Sequence, residues 1–204
     1  MRISRKRTCN FDFSNGFDAE KLLAEFYSWE LTRDVLDVEV LNNYCKEVVK
    51  YMVGNKPFLI ITGDTGCGKT TMLNAICKMI GYLYYSNVSG TGTELDRRAF
   101  QWDDAYTIAD WAVNDRSRYG VFMQCEWAAI DDMGQEPAEV SNYGTIIYPI
   151  RDILLYRYEH NLVTVITTNK TPKDLTEYYG PRVGDRLAEV SQVLLMKETS
   201  YRRL

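Results

Sequence analysis

Histidine is nearly missing: His160 is the only one in 204 residues. A single imidazole excludes multi-histidine metal centres and leaves a histidine-based triad without support. Cysteine is present but unpaired in pattern, since Cys9, Cys45, Cys67, Cys77 and Cys125 are odd in number and no two are spaced C-x-x-C. That excludes a disulfide framework and a zinc knuckle, and fits a reducing, cytoplasmic setting. No apolar stretch reaches 18 residues, so no membrane span is expected. The basic start Met1–Arg7 runs into Thr-Cys-Asn-Phe-Asp rather than an apolar core, so it is not a signal peptide. An excess of positive charge is also lacking, with a net charge of −4. Any contact with nucleic acid must therefore be a local patch. What remains is ordinary globular composition, 46% hydrophobic and 25% charged, enough for one domain with a short appendage. No internal repeat and no low-complexity tract is visible.

Along the chain, "CNFDFSNGF" reads as an extended arm and Asp18–Arg33 as a helix. Leu41, Tyr44, Cys45, Val48, Val49 and Met52 recur with helical spacing, and Gly54 marks the stop. Phe58–Thr62 is an apolar strand. A helix follows with Met72, Ala75, Ile76, Met79, Ile80 and Leu83 on one face. "AFQW", "CEWAAIDD", "LVTVITTN" and "QVLLM" read as further strands. Between them fall a helix near Ile108–Val113, a helix over "IIYPIRDILLYRYEH" with Pro149 either near its start or kinking it, and a short helix over "TPKDLTEYY". Near-continuous apolar strands separated by helices predict a parallel sheet covered on both faces.

"GDTGCGKTT" matches G-x-x-x-x-G-K-[ST], and a strand precedes it while a helix follows. The segment Gly63, Asp64, Thr65, Gly66, Cys67, Gly68, Lys69, Thr70, Thr71 is thus a candidate phosphate cradle. Backbone N–H groups at a helix N-terminus hold phosphate oxygens. Lys69 is expected to contact the β- and γ-phosphates and Thr70 to ligate Mg2+. Cys67 inside the loop reads as a small neutral filler. "WAAIDDMG" brings Asp131 and Asp132 to the carboxyl end of a strand, where α/β sheets present their ligands. Asp131 is the candidate for the Mg2+ shell, and Asp132 for orienting or deprotonating an attacking water. The competing reading is a pair of acids that cap a turn. "VTVITTN" ends in Thr167, Thr168 and Asn169, polar groups within reach of a γ-phosphate. "YYGPRVGDRL" sets Arg182 and Arg186 four apart, which is also the spacing of a solvated helix face.

Taken in order, "GDTGCGKTTMLNAIC", "AAIDDMGQEP", "ITTNKTPKDL", "YYGPRVGDRL" and "TSYRR" resemble the AAA+ ATPases. More narrowly they resemble replicative-helicase loaders of the DnaC/DnaI type and the related IstB-type transposition ATPases. The resemblance implies an α/β P-loop core with a five-stranded parallel sheet in the order 5-1-4-3-2 and no C-terminal helical lid. It implies slow, assembly-dependent ATP hydrolysis with ATP and Mg2+ as cofactors, a homo-oligomer when active, and a hexameric replicative helicase as partner. It places Arg186 as an arginine finger reaching the neighbouring subunit's γ-phosphate, with Arg182 in support. Residues 1–37 become an arm and helix suited to docking, and residues 38–204 the ATPase core. Single-stranded DNA is a further expected partner. Arg116, Arg118 and Tyr119 in "NDRSRYG" are the local candidates, with a solvated loop as the alternative, and "YLYY" at 82–85 reads as packing. A transposition ATPase, a small-molecule kinase and a non-hydrolysing ATP-binding adaptor stay open as rivals.

Overall fold

The structure, a computed structural model, describes residues 18–31, 37–88, 100–142 and 144–197. The basic arm before residue 18 and the "TSYRR" tail lie outside the described residues. The elements in chain order are α1 (Ala19–Glu30), α2 (Val38–Met52), β1 (Phe58–Gly63), α3 (Lys69–Val88), β2 (Phe100–Asp104), α4 (Ala105–Asn114), α5 (Arg116–Gln124) and β3 (Trp127–Asp131). There follow β4 (Val140–Asn142), β5 (Thr145–Ile147), α6 (Pro149–Glu159), β6 (Val163–Thr168), α7 (Pro172–Tyr179), α8 (Pro181–Val190) and β7 (Ser191–Met196).

Five strands form one parallel sheet in the order β2-β3-β6-β1-β7. Counted as sheet strands alone, this is the expected 5-1-4-3-2. β6 is buried along its whole length and β1 over its first four residues, as strands covered on both faces must be. Alternate side chains supply two apolar layers. Leu59, Ile61, Ala129, Val165 and Leu194 pack against α1, α2 and α3, whereas Phe58, Ile60, Ala128, Ile130 and Ile166 pack against α4, α5, α6, α7 and α8. Full burial of one such aliphatic side chain contributes about 1.5–3 kcal/mol.

Local signals set the helix ends. Asp37 accepts from Glu39 N at 2.8 Å and starts α2, and Asp104 accepts from Thr107 N at 2.9 Å and starts α4. Thr171 and Asp174 form a reciprocal capping box on α7, with Pro172 in its first turn. Two readings from the sequence need correction. "NDRSRYG" is not a loop: Asp115 caps Arg118 N at 2.9 Å and α5 begins at Arg116. Ile146 and Ile147 are not helical either, because Pro149 sits at the first position of α6 and the residues before it pair antiparallel with β4. The apolar phase of Ile146 and Ile147 mimics that of α6, but proline lacks the N–H that would carry the helix back across it.

One charged side chain lies wholly inside. Arg157 of α6 is 0% exposed. Its guanidinium donates to Thr164 Oγ1 at 2.9 Å, Phe122 O at 3.2 Å, Met123 O at 3.3 Å, Cys125 O at 2.9 Å and Val163 O. It thereby satisfies the terminal carbonyls of α5, which no helical N–H reaches. Burial pushes its pKa down.

Candidate functional site

β1 delivers Gly63 and α3 opens at Lys69, so the intervening loop is held between a sheet end and a helix N-terminus. Gly63 has φ +153° and a Cβ there would lie 2.2 Å from the carbonyl oxygen of Met196 on β7. Gly68 has φ +94°, with the Tyr27 hydroxyl of α1 2.5 Å from its Cβ position. Neither site admits a side chain, and the loop runs directly into the positive end of α3, the kind of helix N-terminus that binds anions. Lys69 is 6% exposed, and its Nζ donates to Gly63 O at 2.9 Å and Asp64 O at 2.8 Å. Cys67 is fully buried beside it. Burial raises the thiol pKa while the Lys69 charge opposes the rise, so the group stays a neutral thiol.

Parallel register brings the other motifs to the same edge. Ile61 aligns with Thr167, Thr62 with Thr168, and Ile130 with Ile166. Asp131 ends β3 and accepts hydrogen bonds from Thr70 Oγ1 at 3.2 Å and from Thr167 Oγ1. Thr167 Oγ1 in turn accepts from Asp132 N at 2.9 Å, and Met133 N donates to Thr167 O at 2.9 Å. Thr168 Oγ1 donates to Met133 O at 2.6 Å and accepts from Lys170 N at 3.1 Å. Both threonines of "ITTN" therefore fasten the acidic loop, and Asn169 alone of that triplet faces the cleft. Asp132 has φ +52°, a left-handed conformation that turns the chain sharply at the strand end.

The cleft has a volume of about 540 Å3 and gathers Lys69, Thr70, Asp132 and Asn169 with Thr65 and Gln135. The C-terminal end of α1 closes its other side through Glu30 and Leu31. These two had no signal in the sequence, since nothing in the α1 pattern says which loop its end will meet. Gln135 was likewise not among the residues singled out in the sequence, although it follows the acidic motif directly. Glu30 is tied to α3 by an ion pair with Lys78 and accepts from Asn74 Nδ2 at 3.5 Å. Thus α1 shares the core of α2 and α3 and also walls the cleft.

Beyond Asp132 the loop is anchored by Glu136, which is 1% exposed. Its carboxylate accepts from Gly134 N at 2.8 Å and from the Tyr179 hydroxyl, and its carbonyl accepts from the Tyr178 hydroxyl. Burial pushes the carboxyl pKa up, and the Tyr179 hydrogen bond opposes that rise.

Arg182 and Arg186 do not line the cleft. They lie exposed on α8, whose Val183, Leu187 and Val190 pack against the sheet face opposite α3. Arg186 pairs with Glu189 at 3.3 Å and sits 4.8 Å over the Tyr158 ring, and Arg182 pairs with Glu159 at 3.5 Å. The "NDRSRYG" residues are likewise on the far layer. Arg118 stacks 3.9 Å over Trp111 and pairs with Asp103 at 3.4 Å, while the Tyr119 hydroxyl donates to Pro149 O at 2.7 Å. Arg116 is exposed at the start of α5.

Among the described residues no cluster of three or more His, Cys, Asp or Glu could hold a metal ion. A Mg2+ carried by nucleotide phosphates asks less of the protein: hard oxygen ligands such as the Thr70 hydroxyl and the Asp131 carboxylate, which lie together and fit it. No described helix is long and apolar enough to cross a membrane.

Comparison with known proteins agrees with this geometry. Residues 37–137 match the AAA domain family. The fold is similar to that of the DnaC helicase loader, at 21% identity and TM-score 0.56, covering 82% of this chain and 96% of that one. It is similar to DnaI at 18% identity and TM-score 0.56, covering 90% and 94%. AMPPCP-bound DnaA from Aquifex aeolicus matches at 14% identity and TM-score 0.52, covering 83% of this chain and 50% of that one. No curated protein matches at a significant level. The fold, a five-stranded parallel sheet with a phosphate loop between its first strand and the following helix, is shared with the DnaC and DnaI structures.

Proposed function

We propose that the chain is a Mg2+-dependent ATPase that acts in DNA replication by loading a replicative helicase. The observation that carries this reading is the convergence of Lys69, Thr70, Asp132 and Asn169 on one cleft at the ends of three strands, with Asp131 hydrogen-bonded to Thr70 beside it. Loop amides and the Lys69 ammonium bind the triphosphate, and Thr70 and Asp131 hold the metal ion. A Mg2+ held by Thr70 and Asp131 would supply neutralisation of phosphate charge. Asp132 orients and deprotonates the attacking water, and Asn169 fixes the water or the γ-phosphate from the opposite side. Arg186 acts in trans: it is exposed, outside its own cleft, and planar enough to stabilise charge spread over phosphoryl oxygens.

The partner follows from the likeness to DnaC and DnaI. A hexameric helicase would dock on the segment 1–37, whose helix α1 also packs into the core and walls the cleft, and the active species would be a homo-oligomer. Single-stranded DNA is its second partner, with Arg116 the residue of its trio most open to contact. The test is ATP turnover by wild type and Asp132→Asn. The expected result is ATP binding by both and turnover lost by roughly a hundredfold or more in the variant. Equal turnover refutes the assignment, and binding without turnover in both leaves a non-hydrolysing adaptor.

A further inference from the structure

Glu136 is an acid buried where a neutral amide could tie two segments at lower desolvation cost. What distinguishes the carboxylate is that both its oxygens only accept. One takes the Gly134 N–H at 2.8 Å and the other the Tyr179 hydroxyl. A glutamine would turn an NH2 toward one of those donors. The turn so fastened carries Asp132 and Gln135, both of which line the cleft. Its far anchor is the last residue of α7, and directly after it Gly180, at φ +92°, leads into α8 and Arg186. Lys170 closes the outside of the turn. Its Cδ and Cε lie 2.6 Å from where a Gly134 Cβ would stand, and its Nζ is 4.6 Å over the Tyr178 ring.

We propose that Glu136 is a positioning residue, which sets Asp132 and Gln135 against the cleft and locks that turn to the helix pair bearing Arg186. The proposal rests on the reading of the cleft as an ATPase site. The ionised carboxylate takes both hydrogen bonds as an acceptor, whereas protonation turns an O–H toward one of the donors and weakens the clamp, so turnover should depend on its protonation. The groups facing it are Tyr178 and Tyr179 of α7 and the backbone of Gly134 and Gln135, with Lys170 across the turn. Tyr179 favours the ionised form.

The experiment is the pH profile of kcat for the full chain, wild type against Tyr179→Phe, with ATP affinity measured in parallel. In Tyr179→Phe the expected result is kcat lower by about tenfold, from a small displacement of the acid-bearing turn. Affinity should stay within about twofold, and the acid limb of the profile should move to higher pH. A partly unfolded variant loses amplitude but keeps the position of that limb. Should Tyr179→Phe not fold, Glu136→Gln is read in the same way, with the acid limb lost. An active wild type whose profile neither variant alters overturns the positioning role alone. A wild type that neither binds nor hydrolyses ATP overturns the ATPase reading, and the proposal with it.

Discussion

Replacing Arg157 by methionine keeps most of the buried stem and removes the guanidinium. The carbonyls of Phe122, Met123, Cys125 and Val163 then lose a donor in a place where the side chain was 0% exposed. A buried acceptor left unsatisfied costs about 1–3 kcal/mol. Phe122 O keeps the Cys125 thiol as a donor at 3.1 Å, so the other three at the low end, partly offset by no longer burying a cation, give a net loss of about 2–3 kcal/mol. For a chain of this size each kcal/mol moves Tm by roughly 2–4 °C, so Arg157→Met should melt about 4–12 °C below wild type. Urea unfolding should show a lower midpoint at unchanged slope. Arg157→Lys separates charge from geometry: it keeps the cation but lacks the planar fork, and should recover only part of the loss. The reasoning fails if Arg157→Met lies within about 1 kcal/mol of wild type, because the carbonyls would then have found other partners at no cost.

Two further outcomes follow from the site. Arg186→Ala should bind ATP as wild type does but turn none over, Lys69→Ala should bind at least about thirtyfold more weakly, and mixing the two inactive proteins should restore partial turnover. An Arg186→Ala protein as active as wild type at every concentration refutes the role in trans. Glu136 has its folded pKa raised above the ordinary 4.5 by burial, so the folded state holds its proton more tightly than the unfolded chain. Its contribution to stability is therefore present below the ordinary value and is lost as pH rises through the folded one. The Tm of Glu136→Gln should gain on wild type across that interval, and a difference independent of pH counts against the shift.

The phosphate loop and the Asp131-Asp132 strand were legible because each is a local pattern with a fixed place in a parallel sheet, whereas the sheet order came only with the family resemblance. Asn169 was legible as a local pattern too. Others depend on where chain segments distant in sequence meet. Arg157 sits in "YRYEH", which reads as a polar helix face, and only the packing of α6 against α5 and β6 turns it inward. Glu136 beside two cleft acids reads as solvated until Tyr179, 43 residues away, closes over it. α5 was hidden by arginines and Gly120 that weaken its apolar period, although Asp115 stood ready as its cap. Glu30 and Leu31 meet the cleft through the docking of α1 on α3.

The cleft at the head of α3 and the arginine surface of α8 occupy different faces of one molecule. If a contact carries one copy's Arg186 to another copy's cleft and the two patches, lying on different faces, do not meet reciprocally, that contact is heterologous rather than two-fold. Each added copy repeats the same rotation and translation, so assemblies grow as rings or as open spirals. In an open chain one end keeps an unanswered cleft and the other an unused arginine, and complete sites number one fewer than the subunits.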